Sequence, residues 1–204
     1  MPKYTLHYFP GNGRAVTSRA ILCFAKADWT NDLIKREEWP KIKKSGLCEF
    51  EQVPILEIDE KKYSQSHAID LLLAETFGLM GKDIEENYQI RSLLFACDDF
   101  TVPIWRALFS QDEAKKQELI QAALEKFKFF LGRFDKRYVD LGKHKYFLGE
   151  KFTLADIIVT CNIRSCCDSL KFEGLKEVAP NLCELITRIS ENELKEFFEK
   201  FYVK

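Results

Sequence analysis

Apolar positions change their period near residue 78 of the chain. From Lys3 to Tyr8 they alternate, with Tyr4, Leu6 and Tyr8 on one side, which predicts a half-buried strand. The turn residues Phe9-Pro10-Gly11-Asn12-Gly13 follow as a loop. Arg14 to Ala27 reads as a helix through Val16, Ala20, Ile21, Phe24 and Ala25. Thr30 to Ile34 reads as a second strand. Lys35 to Lys44 is polar and interrupted by Trp39-Pro40, so it predicts a loop or a broken helix. Val53-Pro54 opens a third strand of Ile55, Leu56 and Ile58, since proline is tolerated at a strand's first residue. Asp59 to Lys62 is a turn, and Tyr63 starts a return strand. Gln65-Ser66 heads a helix carrying Ile69, Leu72, Leu73 and Phe77. This βαβ, connector, ββα order predicts a small mixed sheet with strands 1 and 2 parallel and strands 3 and 4 antiparallel.

Past Gly78-Leu79-Met80-Gly81 the period is helical throughout. Glu85–Ser110 and Asp112–Leu141 are long enough to be the main helices of a bundle, with Pro103 bending the first. Thr153-Leu-Ala-Asp156 has the form of a capping box ahead of the very apolar Ile157-Ile158-Val159. Shorter helices are expected over about Glu177–Ile189 and Glu191–Phe198. The reading is two domains: an α/β one over residues 1–79 and an all-α helical bundle over 84–204.

Composition narrows the partners. The 204 residues are 46% hydrophobic and 31% charged, with formal net charge −1. No polybasic footprint points to nucleic acid or to an anionic membrane. No apolar run reaches the roughly 18 residues of a membrane span, and the first residues lead straight into a strand pattern rather than a secretory leader. Seven scattered Cys without C-x-x-C suggest reduced thiols in the cytoplasm. His7, His67 and His144 share no ligand spacing with Cys, so no metal is expected.

One device in the α/β half suggests chemistry. An X-Pro bond takes the cis form at small cost. A cis Val53-Pro54 bond would turn the chain and leave the Val53 backbone open to pair outside its own sheet. The helix after Ser66 would present free N–H groups and a positive dipole end to a carboxylate. A peptide-like anion fits between the two.

The set Tyr8-Phe9-…-Gly13-Arg14-Ala15, Glu38-Trp39-Pro40-…-Lys43, Gln52-Val53-Pro54-Ile55-Leu56, Gln65-Ser66-…-Ala68-Ile69 and Asp98-Asp99-Phe100 resembles the cytosolic glutathione transferases over nearly the whole chain. Within them it is most similar to the sigma class, which includes haematopoietic-type prostaglandin D synthases and many invertebrate enzymes. The resemblance implies a thioredoxin-like α/β domain plus an all-α C-terminal helical bundle. It implies a homodimer that uses glutathione as co-substrate and no metal. The matching Tyr is the family's catalytic hydroxyl donor, here Tyr8, with Arg14 supporting it electrostatically. Gln65 and Ser66 would take the γ-glutamyl carboxylate. Val53, beside Pro54, would pair its backbone with the cysteinyl part. Trp39 and Lys43 would meet the glycyl end. Gln52 occupies a place where some relatives carry Lys. Asp99 would reach the glutathione amine of the partner subunit. An apolar second substrate would sit between the domains against Phe9, Gly11, Thr101, Trp105, Ile158 and Asn162.

Bland readings stand beside these. Tyr8 is also a common strand-end aromatic, Ser66 an ordinary N-cap, and Asp98-Asp99 a solvated face. The resemblance also covers glutathione-dependent peroxide reduction, prostaglandin isomerisation, and non-catalytic carriers and crystallins. Residues larger than Gly11 and a Cys at the place of Asn162 belong to the prostaglandin enzymes, so their pocket does not carry over intact.

Overall fold

The computed structural model describes residues 2–203. The chain divides into two compact units, Met1–Leu79 with Glu193–Lys204, and Met80–Asn192.

In the first unit the strands β1 (Tyr4–Tyr8), β2 (Trp29–Leu33), β3 (Ile55–Ile58) and β4 (Lys61–Ser64) form one sheet in the order β2-β1-β3-β4. β1 runs parallel to β2, with Tyr4 opposite Trp29, and antiparallel to β3, with Leu6 opposite Leu56. β3 and β4 are antiparallel. Leu6 and Leu56, opposite each other, share one face and Ile55 points to the other; they are buried, as are Ala20, Ile21 and Leu22 of helix α1 (Val16–Phe24) and Ile69 and Leu73 of α3 (Ser66–Thr76), all at most 1% exposed. Each such side chain contributes about 1.5–3 kcal/mol on burial.

The first helix is shorter than its apolar spacing predicts, for reasons at both ends. A 3₁₀ turn, Gly13–Ala15, precedes it. At its end Lys26 takes a left-handed φ of +50°, the Ala27 N–H reaches back to the Leu22 carbonyl, and the Lys26 N–H reaches the Cys23 carbonyl. This closes the helix in a Schellman motif without the usual glycine. The polar connector holds one short helix, α2 (Trp39–Lys43), with Pro40 in its first turn.

The C-terminal segment, expected in the helical domain, joins this first unit. Helix α9 (Lys195–Lys200) packs on α1. Phe201 meets Trp29 at 4.9 Å between ring centroids. The Asn12 side chain exchanges two hydrogen bonds with Val203, its amide donating at 2.6 Å and its carbonyl accepting at 3.0 Å.

The second unit is built on α4 (Ile84–Leu108) and α5 (Glu113–Asp140), with α6 (Leu154–Leu170) packed on α4 and α8 (Pro180–Glu191) on α5 and α6. Phe100 anchors a ring cluster with Phe127, Phe130 and Phe134 at 5.2, 5.8 and 6.1 Å. Pro103 lies inside α4, which continues through it. The capping box heads α6: Asp156 accepts from the Thr153 N–H at 2.9 Å, and also from the Phe147 N–H at 2.8 Å. Pro180 separates a single turn, α7 (Leu175–Val178), from α8, where the sequence predicts one continuous helix. Among the described residues no helix is long and apolar enough to cross a membrane.

Candidate functional site

The end of β1 carries Tyr8, and the loop after it returns Arg14 beneath the phenol. The Arg14 backbone N–H donates to the Tyr8 hydroxyl oxygen at 3.0 Å. A phenol has two acceptor lone pairs and one O–H. Accepting through oxygen leaves the proton to be given to a ligand and polarises it for donation. The close approach requires glycine at 13. Gly13 has φ +43°, and a Cβ there would lie 3.1 Å from Tyr8 Cε1 and Cζ and closer still to the hydroxyl oxygen. The Arg14 side chain is exposed.

Arg19, which the sequence does not mark as a site residue, is the largest fully buried side chain among the described residues, at 1% exposure. Its guanidinium lies over the Tyr8 ring, 5.5 Å from Cζ to the centroid. It donates to Asn31 Oδ1 at 3.0 Å, to the Phe9 carbonyl at 3.1 Å and to the Gly11 carbonyl. Burial pulls its pKa down to about 10, so it stays charged near neutral pH, and the nearby Tyr8 opposes the fall. The signal was present in the sequence: position 19 lies three after Val16 and one before Ala20, on the helix's apolar stripe. A second buried polar pair lies one residue earlier, where Ser18 Oγ donates to Asp70 Oδ1 at 2.5 Å. Burial pushes the Asp70 carboxyl up, against the donors His67 and Ser18 and the charge of Arg14.

Gln65 is the residue that precedes α3, with φ +73° and no side-chain cap. Ser66 is thus the first helical residue and not the N-cap, and it is buried at 7%. The N–H groups of the first turn of α3 therefore have no capping side chain at Gln65. The Val53-Pro54 bond is cis. Both ladders of β3 begin at Ile55, so Val53 lies beyond the paired part of the sheet. On the connector, Trp39 meets Phe9 edge-on at 5.3 Å, which ties α2 to the residue after Tyr8. Lys43 Nζ lies 3.3 Å from Glu51, on the surface. Gln52 is exposed. Gly11 has φ +130°, and a Cβ there would meet open space.

The remaining predicted residues belong to the helical unit. Thr101 is buried on α4, and Trp105 stacks on Phe109 one turn later at 6.0 Å. Ile158 is fully buried. The Asn162 amide turns back on its own helix to the Ile158 carbonyl at 2.9 Å. Asp99 is exposed on α4. Ile84, Tyr88 and Phe95 are exposed on the same helix at 87, 61 and 58%. At 100° per residue these three and Asp99 fall within one narrow stripe.

The α/β unit thus holds a strand-end hydroxyl that accepts a backbone N–H, a helix start without a side-chain cap and a strand end beyond its ladder, and an all-helical unit follows it. The model of the glutathione S-transferase C-terminal domain matches residues 98–201. The probable glutathione S-transferase 5 of Caenorhabditis elegans is 32% identical over 78% of this chain and 78% of its own length. A glutathione S-transferase of Anopheles gambiae is 30% identical, covering 95% of this chain and 93% of its own. Among solved structures, the prostaglandin synthase D of Nilaparvata lugens matches with a TM-score of 0.87 at 26% identity, covering 100% of both chains. The chain belongs to the glutathione S-transferase family.

Proposed function

We infer that this protein conjugates glutathione to apolar electrophiles, with Tyr8 as the hydroxyl that holds the glutathione thiolate. The observation that carries the assignment is the Arg14 N–H bonded to the Tyr8 oxygen, which directs the phenolic proton outward. A free thiol has a pKa of about 8.5, and only its thiolate attacks. Each unit of depression needs roughly 1.4 kcal/mol of preferential stabilisation of the anion, which a hydroxyl donor in a partly desolvated site supplies. The bound thiol releases its proton to solvent. Its sulfur then forms a bond to carbon, and with an aryl halide the halide departs with the bonding pair. Holding the two reactants together contributes much of the acceleration.

Glutathione is the co-substrate in this reading. Its γ-glutamyl carboxylate takes the start of α3 at Gln65 and Ser66. Its cysteinyl backbone pairs with Val53 beside Pro54, and its glycyl end meets Trp39 and Lys43, with Gln52 nearby. The protein works as a homodimer. The exposed Ile84, Tyr88 and Phe95 support a buried two-fold interface on α4, and Asp99 on the same stripe reaches the partner's glutathione amine. Its place is the cytoplasm, where its free cysteines stay reduced.

Tyr8→Phe tests the assignment. With glutathione and a generic aryl halide, kcat is expected to fall about 10- to 100-fold while glutathione affinity stays within about threefold. Unchanged kcat with an unshifted pH profile would remove Tyr8 from the role. Prostaglandin isomerisation is the second reading, favoured by the likeness to the Nilaparvata lugens protein. Product analysis with a prostaglandin endoperoxide separates the two.

A further inference from the structure

We propose that Arg19 is a positioning residue for the thiolate site: its buried, uncompensated cation fixes the loop after Tyr8 and biases the site toward negative charge. The proposal rests on Tyr8 as the thiolate partner.

Three observations converge on it. The first is burial without an ionic partner. Arginine is almost never fully buried unless paired, yet at 1% exposure all the hydrogen-bond acceptors of Arg19 are neutral: Asn31 Oδ1 and the carbonyls of Phe9 and Gly11. Among the described residues it makes no ion pair. The second is aim. The guanidinium carbon is 5.5 Å from the centre of the Tyr8 ring, so its charge lies over the ring whose hydroxyl is assigned to the sulfur. The third is reach. The two carbonyls flank Pro10, at the start of the loop whose other end supplies Gly13 and the Arg14 N–H. One side chain therefore sets both the height of the loop and the potential beneath it.

The surrounding charges leave that potential in place. From β2, Asp32 is engaged by His7 at 2.7 Å. From α3, Asp70 takes the Ser18 hydroxyl. From α9, Glu196 is matched by Lys200 at 2.8 Å, beside Cys23. A unit charge removed at a separation of roughly 8 Å and an effective dielectric of 20–40 changes the thiolate population about six- to thirtyfold, and a counter-charge that only partly cancels it changes it less.

The decisive variant is Asn31→Asp. It keeps an acceptor oxygen on the Arg19 Nε–H and leaves every Arg19 hydrogen bond available, but it puts a counter-charge on the guanidinium. A purely structural Arg19 would be held as well or better. The readouts are the ultraviolet thiolate titration of enzyme-bound glutathione, the acid limb of kcat/KM with an aryl halide, and thermal unfolding. The expected result is both titrations displaced to higher pH, about three- to tenfold less thiolate on the acid side, and an unchanged or raised melting temperature. Arg19→Lys, which keeps the charge, should stay within about threefold of the parent. Arg19→Gln should shift at least as far as Asn31→Asp. Folded Asn31→Asp protein with unmoved titrations overturns the proposal. Tyr8→Phe run in parallel separates the two levels. If it moves the titrations and Asn31→Asp does not, only the role of Arg19 falls. If neither moves them, the thiolate reading falls and takes this one with it.

Discussion

Replacing Gly13 by alanine adds one methyl group and tests the geometry of the hydroxyl directly. Two costs follow from the structure. At φ +43° an L-residue bears a left-handed backbone, worth about 1–2 kcal/mol. The new Cβ also drives into the Tyr8 hydroxyl, so the phenol must swing away and surrender the Arg14 N–H, roughly another 1 kcal/mol. The sum is about 2–3 kcal/mol. For a chain of this size that lowers the melting temperature by roughly 4–12 °C. Gly46→Ala serves as the control for the backbone part, because Gly46 has φ +80° and a Cβ there meets nothing within 4 Å. Thermal unfolding of both variants and the aryl-halide assay across pH form the experiment. Gly13→Ala should lose more stability than Gly46→Ala, and it alone should lose activity, with its acid limb moved to higher pH as in Tyr8→Phe. Equal losses of stability, or a Gly13→Ala enzyme with the parent's pH profile, would show that the Tyr8 hydroxyl does not sit where the chemistry needs it.

Other expectations are independent of that one. Burial raises the Asp156 carboxyl to about 6, even though it accepts hydrogen bonds from Phe147 and Thr153. Its folded value lies above the unfolded value, so its contribution is full below about pH 4 and is lost as the pH rises through about 6. Urea unfolding should therefore show a decline of about 3 kcal/mol across that window that Asp156→Asn lacks. Phe95→Glu puts a charge on the exposed stripe of α4, and sedimentation should find the proposed dimer replaced by monomer. Asn12→Ala removes both hydrogen bonds to Val203, and amide exchange at Val203 should quicken about tenfold.

The elements written in strict period were legible in the sequence. Tyr4, Leu6 and Tyr8 gave β1, the Ile55–Ile58 run gave β3, and Thr153 with Asp156 marked the head of α6. What escaped notice depends on contacts distant along the chain. Nothing local says that Lys26 will take the left-handed conformation that closes α1, or that the C-terminal segment will leave the helical unit for Asn12 and Trp29. Of the candidate site, Tyr8 and Arg14 are legible through the family resemblance, since position alone makes them an ordinary strand-end aromatic and a helix-start arginine; the Gln65-Ser66 step also shows as the head of an apolar-periodic helix. Arg19 and the Ser18–Asp70 pair were hidden because a polar residue on an apolar stripe reads as an interruption of the pattern. Only the structure shows that such a residue has been given partners. The bland alternative, Ser66 as an ordinary N-cap, falls one residue late, because Gln65 takes the cap position with a positive φ that nothing in the sequence marks.

The cysteines, all without disulfides, acquire a meaning once the reaction is considered. Burial raises the Cys23 thiol to about 11 and the Cys167 thiol to about 12, and lifts Cys97 and Cys166 as well. A thiol at about 11 is ionised in roughly one molecule in ten thousand at pH 7, against a few per cent for a free one. Burial thus keeps these four sulfurs almost wholly in the thiol form, which is not the attacking species. The reactive sulfur arrives on a replaceable tripeptide and leaves with the product, so the catalyst is spared alkylation by the compounds it removes.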